Sequence, residues 1–313
     1  MSEKRIATRE SYGKALAELG EKYDIVVLDA DLSKSTKTET FKKKFPERFI
    51  NMGIAEQNMM STAAGIASCG KIVFASSFAM FAAGRAFEQI RNSICYPNLN
   101  VKIGATHAGI SVGEDGATHQ CLEDIGIMRT IPNMIIINPA DDVEARAAVE
   151  AAVKHNGPVY LRFGRLGVPV IFDEDTYKFE IGKGIQLKDG KDVTIIATGL
   201  MVEKAITAAQ MLEEKGIDAR VINIHTIKPI DRDIIEKAAK ETGAVVTCEE
   251  HNIIGGLGSA VAEVIAETHP AALERVGVCD KFGKSGEPNA LLEEYGLTAE
   301  NIAEKAMKAI KRK

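Results

Sequence analysis

The chain has 313 residues, of which 45% are hydrophobic and 27% charged, and its formal net charge at pH 7 is -5. This composition is typical of a globular protein with a sizeable core, and the length favours about two domains. The acidic balance disfavours nucleic-acid binding, which normally uses a basic surface. No apolar run is long enough to cross a bilayer, so no membrane association is predicted.

The cysteine usage and the polar start of the chain predict a cytoplasmic location. No apolar signal core follows the first residues. The cysteines are scattered without a C-x-x-C pair, which argues against a zinc site or a disulfide framework. Free thiols in a reducing compartment are therefore expected. They are Cys69, Cys95, Cys121, Cys248 and Cys279.

Apolar strands alternate with helices along the first half of the chain. A helix is predicted over 11–22 and a buried strand over 25–30. Further helices are predicted over 79–94 and 143–155. The other predicted strands cover 71–74, 101–104, 134–137 and 159–162. Short, continuously apolar strands separated by helices indicate a parallel sheet that is covered on both faces.

The alternation pauses between 163 and 191, where glycines and charges predict a linker with a short hairpin. A second series then begins. It comprises strands over 193–197, 219–224 and 244–247 and helices over 202–215, 234–241 and 259–267. The predicted fold class is α/β with two domains, each a mainly parallel sheet flanked by helices. The domains are placed at 1–180 and 191–313, joined by a linker at 181–190.

Glu56 lies in the string N-M-G-I-A-E-Q-N, where a strand is expected to give way to a helix. The simpler interpretation is a first-turn acid that stabilises the helix dipole. The alternative is a catalytic acid that protonates a heterocyclic cofactor, because a carboxylate at the mouth of an apolar helix is costly without a partner. Position alone does not separate the two.

The densest polar stretch, 104–120, follows a predicted strand and is called the histidine loop here. It contains His107, Glu114, Asp115 and His119 together with several glycines and hydroxyls. In a parallel sheet the carboxyl ends of the strands face the ligand crevice. Histidines move protons near neutral pH, and glycines let the backbone approach a ligand. The alternative is an exposed loop whose histidines make only local hydrogen bonds.

Two further sets of residues allow either a structural or a functional interpretation. Phe78 and Phe81 share one face of a predicted helix start, where they either pack in the core or stack on a flat ring. Arg9, Ser35 and Arg165 are dispersed in the sequence. Arginine binds phosphate through two donors, but a single arginine or serine is also a common surface charge or helix cap.

Four motifs together resemble the C-terminal half of transketolase in their order and spacing. They are N-M-G-I-A-E at 51–56, S-F-A-M-F at 77–81, T-H at 106–107 continuing to G-E-D-G-A-T-H-Q at 113–120, and G-R at 164–165. The resemblance covers essentially the whole chain and implies a pyrimidine-binding domain followed by a transketolase C-terminal domain. It implies thiamine diphosphate-dependent transfer of a two-carbon ketol unit in the pentose phosphate pathway. The expected donor is a ketose phosphate such as xylulose 5-phosphate, and the acceptor an aldose phosphate such as ribose 5-phosphate.

The resemblance also implies roles for individual residues. Glu56 would hydrogen-bond N1′ of the cofactor's aminopyrimidine, and His107 would lie near the reacting hydroxyl of the substrate. The other implied contacts are Phe78 and Phe81 on the pyrimidine, Asp31 at the subunit interface near the thiazolium, Asp115 and His119 in the substrate site, and Arg9, Ser35 and Arg165 on the distal sugar phosphate. At 82–85 this chain has A-A-G-R where many family members have another aromatic, so no residue is assigned there.

The diphosphate-binding part of the family is missing from this sequence. Transketolases hold the diphosphate through a metal bound by a G-D-G motif and a later asparagine, both in their N-terminal half. No G-D-G string occurs here, although a diphosphate needs a divalent cation. The resemblance therefore implies a separate N-terminal-half subunit that holds Mg²⁺ or Ca²⁺, with no metal ligands in this chain. An α2β2 heterotetramer with a contact between the two β chains, binding sugar phosphates, is the expected assembly.

Two related enzymes and one non-enzyme are the alternatives. The β subunit of a 2-oxoacid dehydrogenase E1 component also has a pyrimidine domain and a glutamate at this place. The second half of 1-deoxyxylulose-5-phosphate synthase has strings similar to T-H-A-G at 106–109 and G-R at 164–165. The E-D-G string at 114–116 favours transketolase over both. A non-catalytic assembly subunit is disfavoured because the candidate site residues are retained.

Overall fold

The computed structural model describes residues 4–313, in which strands and helices alternate. The strands are β1 (Arg5–Ala7), β2 (Ile25–Asp29), β3 (Phe49–Asn51), β4 (Ile72–Phe78), β5 (Val101–Thr106), β6 (Ile135–Ile137), β7 (Val159–Arg162), β8 (Gly167–Pro169), β9 (Ile185–Lys188), β10 (Val193–Ala197), β11 (Ala219–Asn223), β12 (Thr226–Lys228), β13 (Ala244–Asn252) and β14 (Ala272–Val278).

The α-helices range from one turn to more than three turns. They are α1 (Thr8–Leu19), α2 (Ser33–Thr36), α3 (Glu39–Lys44), α4 (Glu56–Ser68), α5 (Phe87–Gln89), α6 (Asp124–Arg129), α7 (Asp142–Lys154), α8 (Met201–Glu213), α9 (Arg232–Thr242), α10 (Leu257–Glu267), α11 (Pro288–Glu294) and α12 (Ala299–Ile310). Two π-helical turns, Met80–Arg85 and Ile90–Cys95, flank α5, and 3-10 turns cover Pro46–Arg48 and Ile110–Asp115. Within residues 4–313, none of the helices has the length and apolar character needed to span a bilayer.

The first sheet has seven strands in the order β12-β6-β7-β5-β4-β2-β3. Neighbouring strands are parallel except for β12, which is antiparallel to β6. Helices α1 and α7 pack on one face through residues such as Leu16 and Val149. Helix α4 and the π-helical turns pack on the other face, where Met59 and Ile90 are fully buried. Because both faces are covered, the strands are apolar runs rather than alternating patterns.

The second sheet has five strands in the order β14-β13-β10-β11-β9, and only its edge strand β9 is antiparallel. Helices α8 and α12 cover one face through residues such as Leu212 and Ile302, and α9 and α10 cover the other through Ile235 and Val261. The predicted α/β fold class, with mainly parallel sheets flanked by helices, is confirmed. The segment 181–190, predicted as a linker, includes β9.

The predicted hairpin between 163 and 191 is wrong. Strand β8 pairs with β1, and β9 pairs with β11, so both short strands find partners far away in the chain. Strand β12 was not predicted, and it crosses from the second half of the chain to pair with β6 of the first sheet. These strands have three or four residues, too few to show a periodicity of their own.

Lys102 places a fully buried amine at the centre of the first sheet. Its Nζ donates to the carbonyl oxygens of His155 at 2.8 Å and Gly157 at 2.5 Å. Burial lowers the pKa of Lys102 from 10.5 to about 7. Between these two values the unfolded chain binds more protons on this residue than the folded chain does. The free energy of unfolding should therefore rise as the pH increases through this range.

Urea titrations at about pH 7 and about pH 9.5 check this prediction. The parent chain should gain stability at the higher pH relative to Lys102→Met, which has no titrating group at this position. An identical pH dependence of the two chains would show that Lys102 is charged in the folded state across this range.

Candidate functional site

Most of the predicted site residues lie at the carboxyl ends of neighbouring parallel strands in the first sheet. Phe78 is the last residue of β4, and His107 directly follows β5. Asp31 and Arg165 follow β2 and β7, so the four strands involved are adjacent in the order β7-β5-β4-β2. Since α/β folds bind ligands beyond the carboxyl ends of their strands, the topology gathers these residues where a ligand is expected.

Glu56 is the first residue of α4, and only 2% of its surface is exposed. Its Oε2 accepts a hydrogen bond from Nη1 of Arg85 at 3.4 Å. A carboxylate has about four acceptor positions, so Glu56 can accept from a further donor. Its place at a helix N-terminus also fits the helix-dipole interpretation. The geometry is therefore compatible with both roles that the sequence suggested.

An aromatic cluster lies between the histidine loop and the π-helical turn that follows β4. The rings of Phe78 and Phe81 are stacked, with centroids 6.0 Å apart and planes at 14°. The ring of Phe78 also stacks on His107 at 3.8 Å. His119 meets Phe81 edge-on at 5.2 Å. Phe78 is buried while Phe81 is partly exposed, so Phe81 offers its ring to a ligand.

Arg85 belongs to this cluster although the sequence assigned it no role. Its Cζ lies 5.3 Å from the centroid of the Phe81 ring, and its Nη1 contacts Glu56. The regular helix predicted over 79–94 is interrupted by the π-helical turns, of which Met80–Arg85 ends at this arginine. Such turns occur frequently at functional sites. The four-residue spacing from Phe81 to Arg85 was the available signal in the sequence.

A cationic pocket surrounds His107. Nη1 of Arg9 lies 3.0 Å from Nε2 of His107 and donates to the backbone carbonyl of Ser35, also at 3.0 Å. Ser35 therefore contributes its carbonyl oxygen rather than its hydroxyl to this contact. Arg165 and Lys37 lie close enough to act electrostatically on His107, and Lys37 was missed because its sequence context carries no motif. The buried Nε of Arg9 has no hydrogen-bond partner within residues 4–313, which leaves a donor for an anion.

The hydrogen bonds of His107 define its protonation. A guanidinium can only donate, so Nε2 of His107 accepts from Arg9. The hydrogen of the neutral imidazole then lies on Nδ1, which donates to Oγ1 of Thr106 at 2.9 Å. Burial and the neighbouring cations lower the pKa of His107 to about 3. His107 is therefore neutral at physiological pH and presents a fixed tautomer.

We expect the imidazole nitrogens of His107 to show no titration between about pH 5 and pH 8. The folded pKa lies below the unfolded value of 6.5. Above pH 6.5, keeping His107 neutral therefore costs no free energy of unfolding. As the pH falls from 6.5 toward 3, the unfolded chain binds a proton that the folded chain does not, and the free energy of unfolding decreases. Nitrogen-detected NMR of the labelled chain, assigned with His107→Gln, measures this directly. A titration midpoint near 6.5 would show that burial and the nearby cations Arg9, Arg165 and Lys37 do not lower the pKa of His107.

Arg165 is held by the histidine loop. Its Nη1 donates to the carbonyl of Val112 and to Oε2 of Glu114, the latter at 2.8 Å. Asp115, the next residue, is exposed at the surface of the loop. Nδ1 of His119 lies 3.0 Å from Oγ1 of the adjacent threonine. The structure thus places Arg165 and His119 beside the pocket and leaves Asp115 facing outward.

Asp31 also lies at the surface. Its Oδ1 accepts from Nδ2 of Asn51 at 2.8 Å, and its backbone has a left-handed conformation with φ 63°. Ile54, two residues before Glu56, is 79% exposed, and Ile50 is 38% exposed. The mouth of the Glu56 site is therefore bordered by exposed apolar and acidic side chains. Within residues 4–313, no cluster of three or more His, Cys, Asp or Glu side chains is arranged to hold a metal ion.

Comparison with known families covers nearly the whole chain. Residues 4–170 match the transketolase pyrimidine-binding domain, and residues 182–302 match the transketolase C-terminal domain. A protein from Methanocaldococcus jannaschii described as a transketolase C-terminal section is 55% identical over 307 residues, which is 97% of this chain and 96% of the relative. A 6-deoxy-6-sulfo-D-fructose transketolase subunit from Clostridium sp. is 44% identical over 97% of this chain and 95% of the relative.

A solved structure shows the same likeness in three dimensions. A split-gene transketolase, described as an inactive β4 tetramer, superposes with a TM-score of 0.92 at 60% sequence identity. The match covers 98% of this chain and 99% of that chain. Sequence, domain content and architecture therefore agree, and the chain belongs to the transketolase family.

Proposed function

We propose that this chain is the β-type subunit of a split, thiamine diphosphate-dependent transketolase. Its reaction transfers a two-carbon ketol unit from a ketose phosphate such as xylulose 5-phosphate to an aldose phosphate such as ribose 5-phosphate, in the pentose phosphate pathway. The observation that carries the proposal is the continuity of the site. Arg85 links the buried carboxylate of Glu56 to the partly exposed ring of Phe81. Phe78 links that ring to His107, a neutral histidine beside several cations.

The residues around Glu56 fit the aminopyrimidine of the cofactor. Glu56 is buried and keeps acceptor capacity, so it would accept a hydrogen bond from a protonated ring nitrogen of the aminopyrimidine. Phe81 offers a partly exposed ring for stacking, and Phe78 supports it from behind. The chemistry supplied by bound thiamine diphosphate is a nucleophilic carbon that carries the two-carbon unit between sugars. This chain binds and orients the pyrimidine end.

The cationic pocket fits a sugar phosphate. Arg9 and Arg165 provide guanidinium groups, which match phosphate geometry, and Lys37 adds a third positive charge near His107. The carbonyl of Ser35 orients Arg9. Both ring nitrogens of the neutral His107 have partners, so a substrate hydroxyl would bind His107 by replacing Arg9 or Thr106. The pocket would hold the phosphate while His107 and His119 contact the sugar chain.

The partner is proposed to be an N-terminal-half subunit that binds the diphosphate through Mg²⁺ or Ca²⁺, in an α2β2 heterotetramer with β–β contact. Ile50 and Ile54 support this proposal because large exposed apolar side chains beside a site mark interaction surfaces. Asp31 and Asp115 also face outward, where a second chain or the substrate can reach them. The domain limits 1–180 and 191–313, the linker at 181–190 and a cytoplasmic location stay predictions.

The proposal is tested by combining this chain with the candidate N-terminal-half subunit, thiamine diphosphate and Mg²⁺. Xylulose 5-phosphate and ribose 5-phosphate are supplied, and sedoheptulose 7-phosphate is measured as the product. Its formation supports the proposed function. Turnover of pyruvate without ketol transfer between sugars would replace it with 1-deoxyxylulose-5-phosphate synthase or 2-oxoacid dehydrogenase chemistry. No turnover of either substrate class would favour an assembly role.

A further inference from the structure

The histidine loop is attached to the second half of the chain at several points. It carries His107 and His119. Its middle section, Ile110–Asp115, is a short 3-10 segment that is broken by a non-helical residue at Gly113. A segment of this kind needs outside contacts to keep one conformation. The contacts come from two places in the C-terminal half, Glu250 on β13 and the segment 283–288 before and at the start of α11.

Gln120 is the central contact at the end of the loop. Its side chain is 3% exposed, and its Nε2 lies 3.2 Å from the carbonyl oxygen of Ile110 and 3.1 Å from that of Gly113. The same nitrogen donates to the carbonyl of Lys284 at 2.9 Å. One buried amide therefore joins the first residue of the 3-10 turn and its kink at Gly113 to the C-terminal half. Removing it would take away a buried donor that lies within hydrogen-bond distance of three backbone carbonyl oxygens.

Glu250 holds the start of the turn from the other side. Its Oε1 accepts from the backbone nitrogen of Ser111 at 2.7 Å. The backbone carbonyl of Glu250 accepts from Nη2 of Arg162 at 2.9 Å. The loop approaches so closely at Gly109 that an added Cβ would lie 2.3 Å from the Glu250 carboxylate. Such an approach requires glycine, which also accommodates the φ of 85° at this position.

The segment 283–288 packs against the same loop without space for side chains. A Cβ on Gly113 would lie 2.9 Å from Cγ of Pro288, and one on Gly116 would lie 2.5 Å from Oγ of Ser285. A Cβ on Gly283 would lie 1.8 Å from Oε1 of Gln120. The loop and the segment 283–288 are therefore closely packed against each other. A side chain added at Gly283 would displace Gln120.

We propose that Gln120 is a positioning residue through which the C-terminal half of the chain sets the histidine loop for sugar-phosphate binding. The inference rests on the proposed function for the identity of the substrate. The role of Gln120 in holding the loop does not depend on the proposed function, because all of its contacts lie within this chain. Arg165 joins the same loop through Val112 and Glu114. A displaced loop therefore moves the phosphate-binding guanidinium together with the histidines.

The experiment compares three variants of the full-length chain. Gln120→Leu keeps the side-chain volume and removes the amide. Gly283→Ala leaves the histidine loop unchanged in sequence and displaces Gln120 from the C-terminal side. Gly65→Ala is the matched control, because an added Cβ at this exposed helical position meets no atom within 4 Å. Hydrogen–deuterium exchange is measured on the chain alone, and kinetics on its complex with the partner subunit.

Both Gln120→Leu and Gly283→Ala should raise amide exchange over 110–116 by about tenfold and raise KM for the sugar phosphates by about tenfold. The dissociation constant of thiamine diphosphate should change by less than about twofold, because Glu56 and Phe81 lie outside the loop. Gly65→Ala should change none of these values.

Unchanged exchange in both variants overturns the inference, as does a loss of thiamine diphosphate binding equal to the rise in KM, since that would show a general structural role. If Gln120→Leu fails to fold, Gly283→Ala decides the matter. If the parent complex turns over no sugar phosphate, the proposed function fails, while the exchange data still decide whether Gln120 positions the loop.

Discussion

Glu56→Gln should lower kcat for ketol transfer by about 10³-fold, since a precisely placed acid contributes 10²- to 10⁴-fold in acid–base catalysis. The glutamine keeps the size of the side chain and its contact with Arg85 through Oε1. In the proposed role, the amide could not exchange a proton with the ring nitrogen of the cofactor as the carboxylate would. The thermal unfolding midpoint of the chain should stay within a few degrees of the parent, because loss of a helix-dipole interaction costs about 0.3–1 kcal/mol.

Glu300→Gln is the matched control for this experiment. Glu300 is likewise a first-turn acid, but it is exposed and lies on α12, which packs on the second sheet. If Glu56 only stabilised its helix, both variants would show the same small loss of stability and full turnover. That outcome would return Glu56 to the simpler interpretation and remove the cofactor role.

Arg9→Ala should raise KM for phosphorylated sugars by on the order of 30-fold, because it deletes a charge-assisted hydrogen bond worth about 2 kcal/mol. Arg9 contacts a backbone carbonyl and a neutral imidazole, and its buried Nε has no hydrogen-bond partner among the described residues. Its charge is therefore available to a substrate phosphate. For an unphosphorylated ketol donor the KM should change little, because that substrate has no phosphate group to interact with Arg9.

Arg5→Ala supplies the control for the arginine substitution. Arg5 lies on β1 just before α1 and pairs with Glu203 in an exposed ion pair. Exposed pairs contribute little, so this variant should keep the parent KM for both substrate classes. Equal increases in KM for phosphorylated and unphosphorylated donors in Arg9→Ala would mean that Arg9 supports His107 rather than the phosphate.

The central strands of both sheets were predictable because their information is local, whereas the edge strand β14 (Ala272–Val278) was not predicted. The apolar run predicted over 101–104 lies within β5 (Val101–Thr106), and the helix predicted to begin near Glu56 begins at that residue. The placement of His107 directly after a strand also followed from the pattern. These inferences need only the apolar pattern and the rule that such strands gather ligands at their carboxyl ends. Phe78, predicted at a helix start together with Phe81, is instead the last residue of β4, so that prediction was wrong.

Features that depend on long-range pairing were not predictable from the pattern. Strand β12 comes from the second half of the chain and joins the first sheet. It could not be predicted because three residues are too few to show a periodicity. The π-helical turn that brings Arg85 over Phe81 has the same apolar spacing as an ordinary helix. Lys37 reaches His107 only because α2 folds back beside β5. Side-chain reach of this kind is set by tertiary packing, not by sequence spacing.

In the proposed function, this chain supplies the pyrimidine half of a site that a second subunit completes. Ketol transfer from xylulose 5-phosphate to ribose 5-phosphate should be measured for this chain alone, for the N-terminal-half subunit alone and for their mixture, each with thiamine diphosphate and Mg²⁺. Turnover is expected only in the mixture, and it should disappear when the chain carries Glu56→Gln. Turnover by this chain alone would contradict a site shared between two subunits. Turnover at the parent rate by a mixture that contains Glu56→Gln would contradict the cofactor role of Glu56.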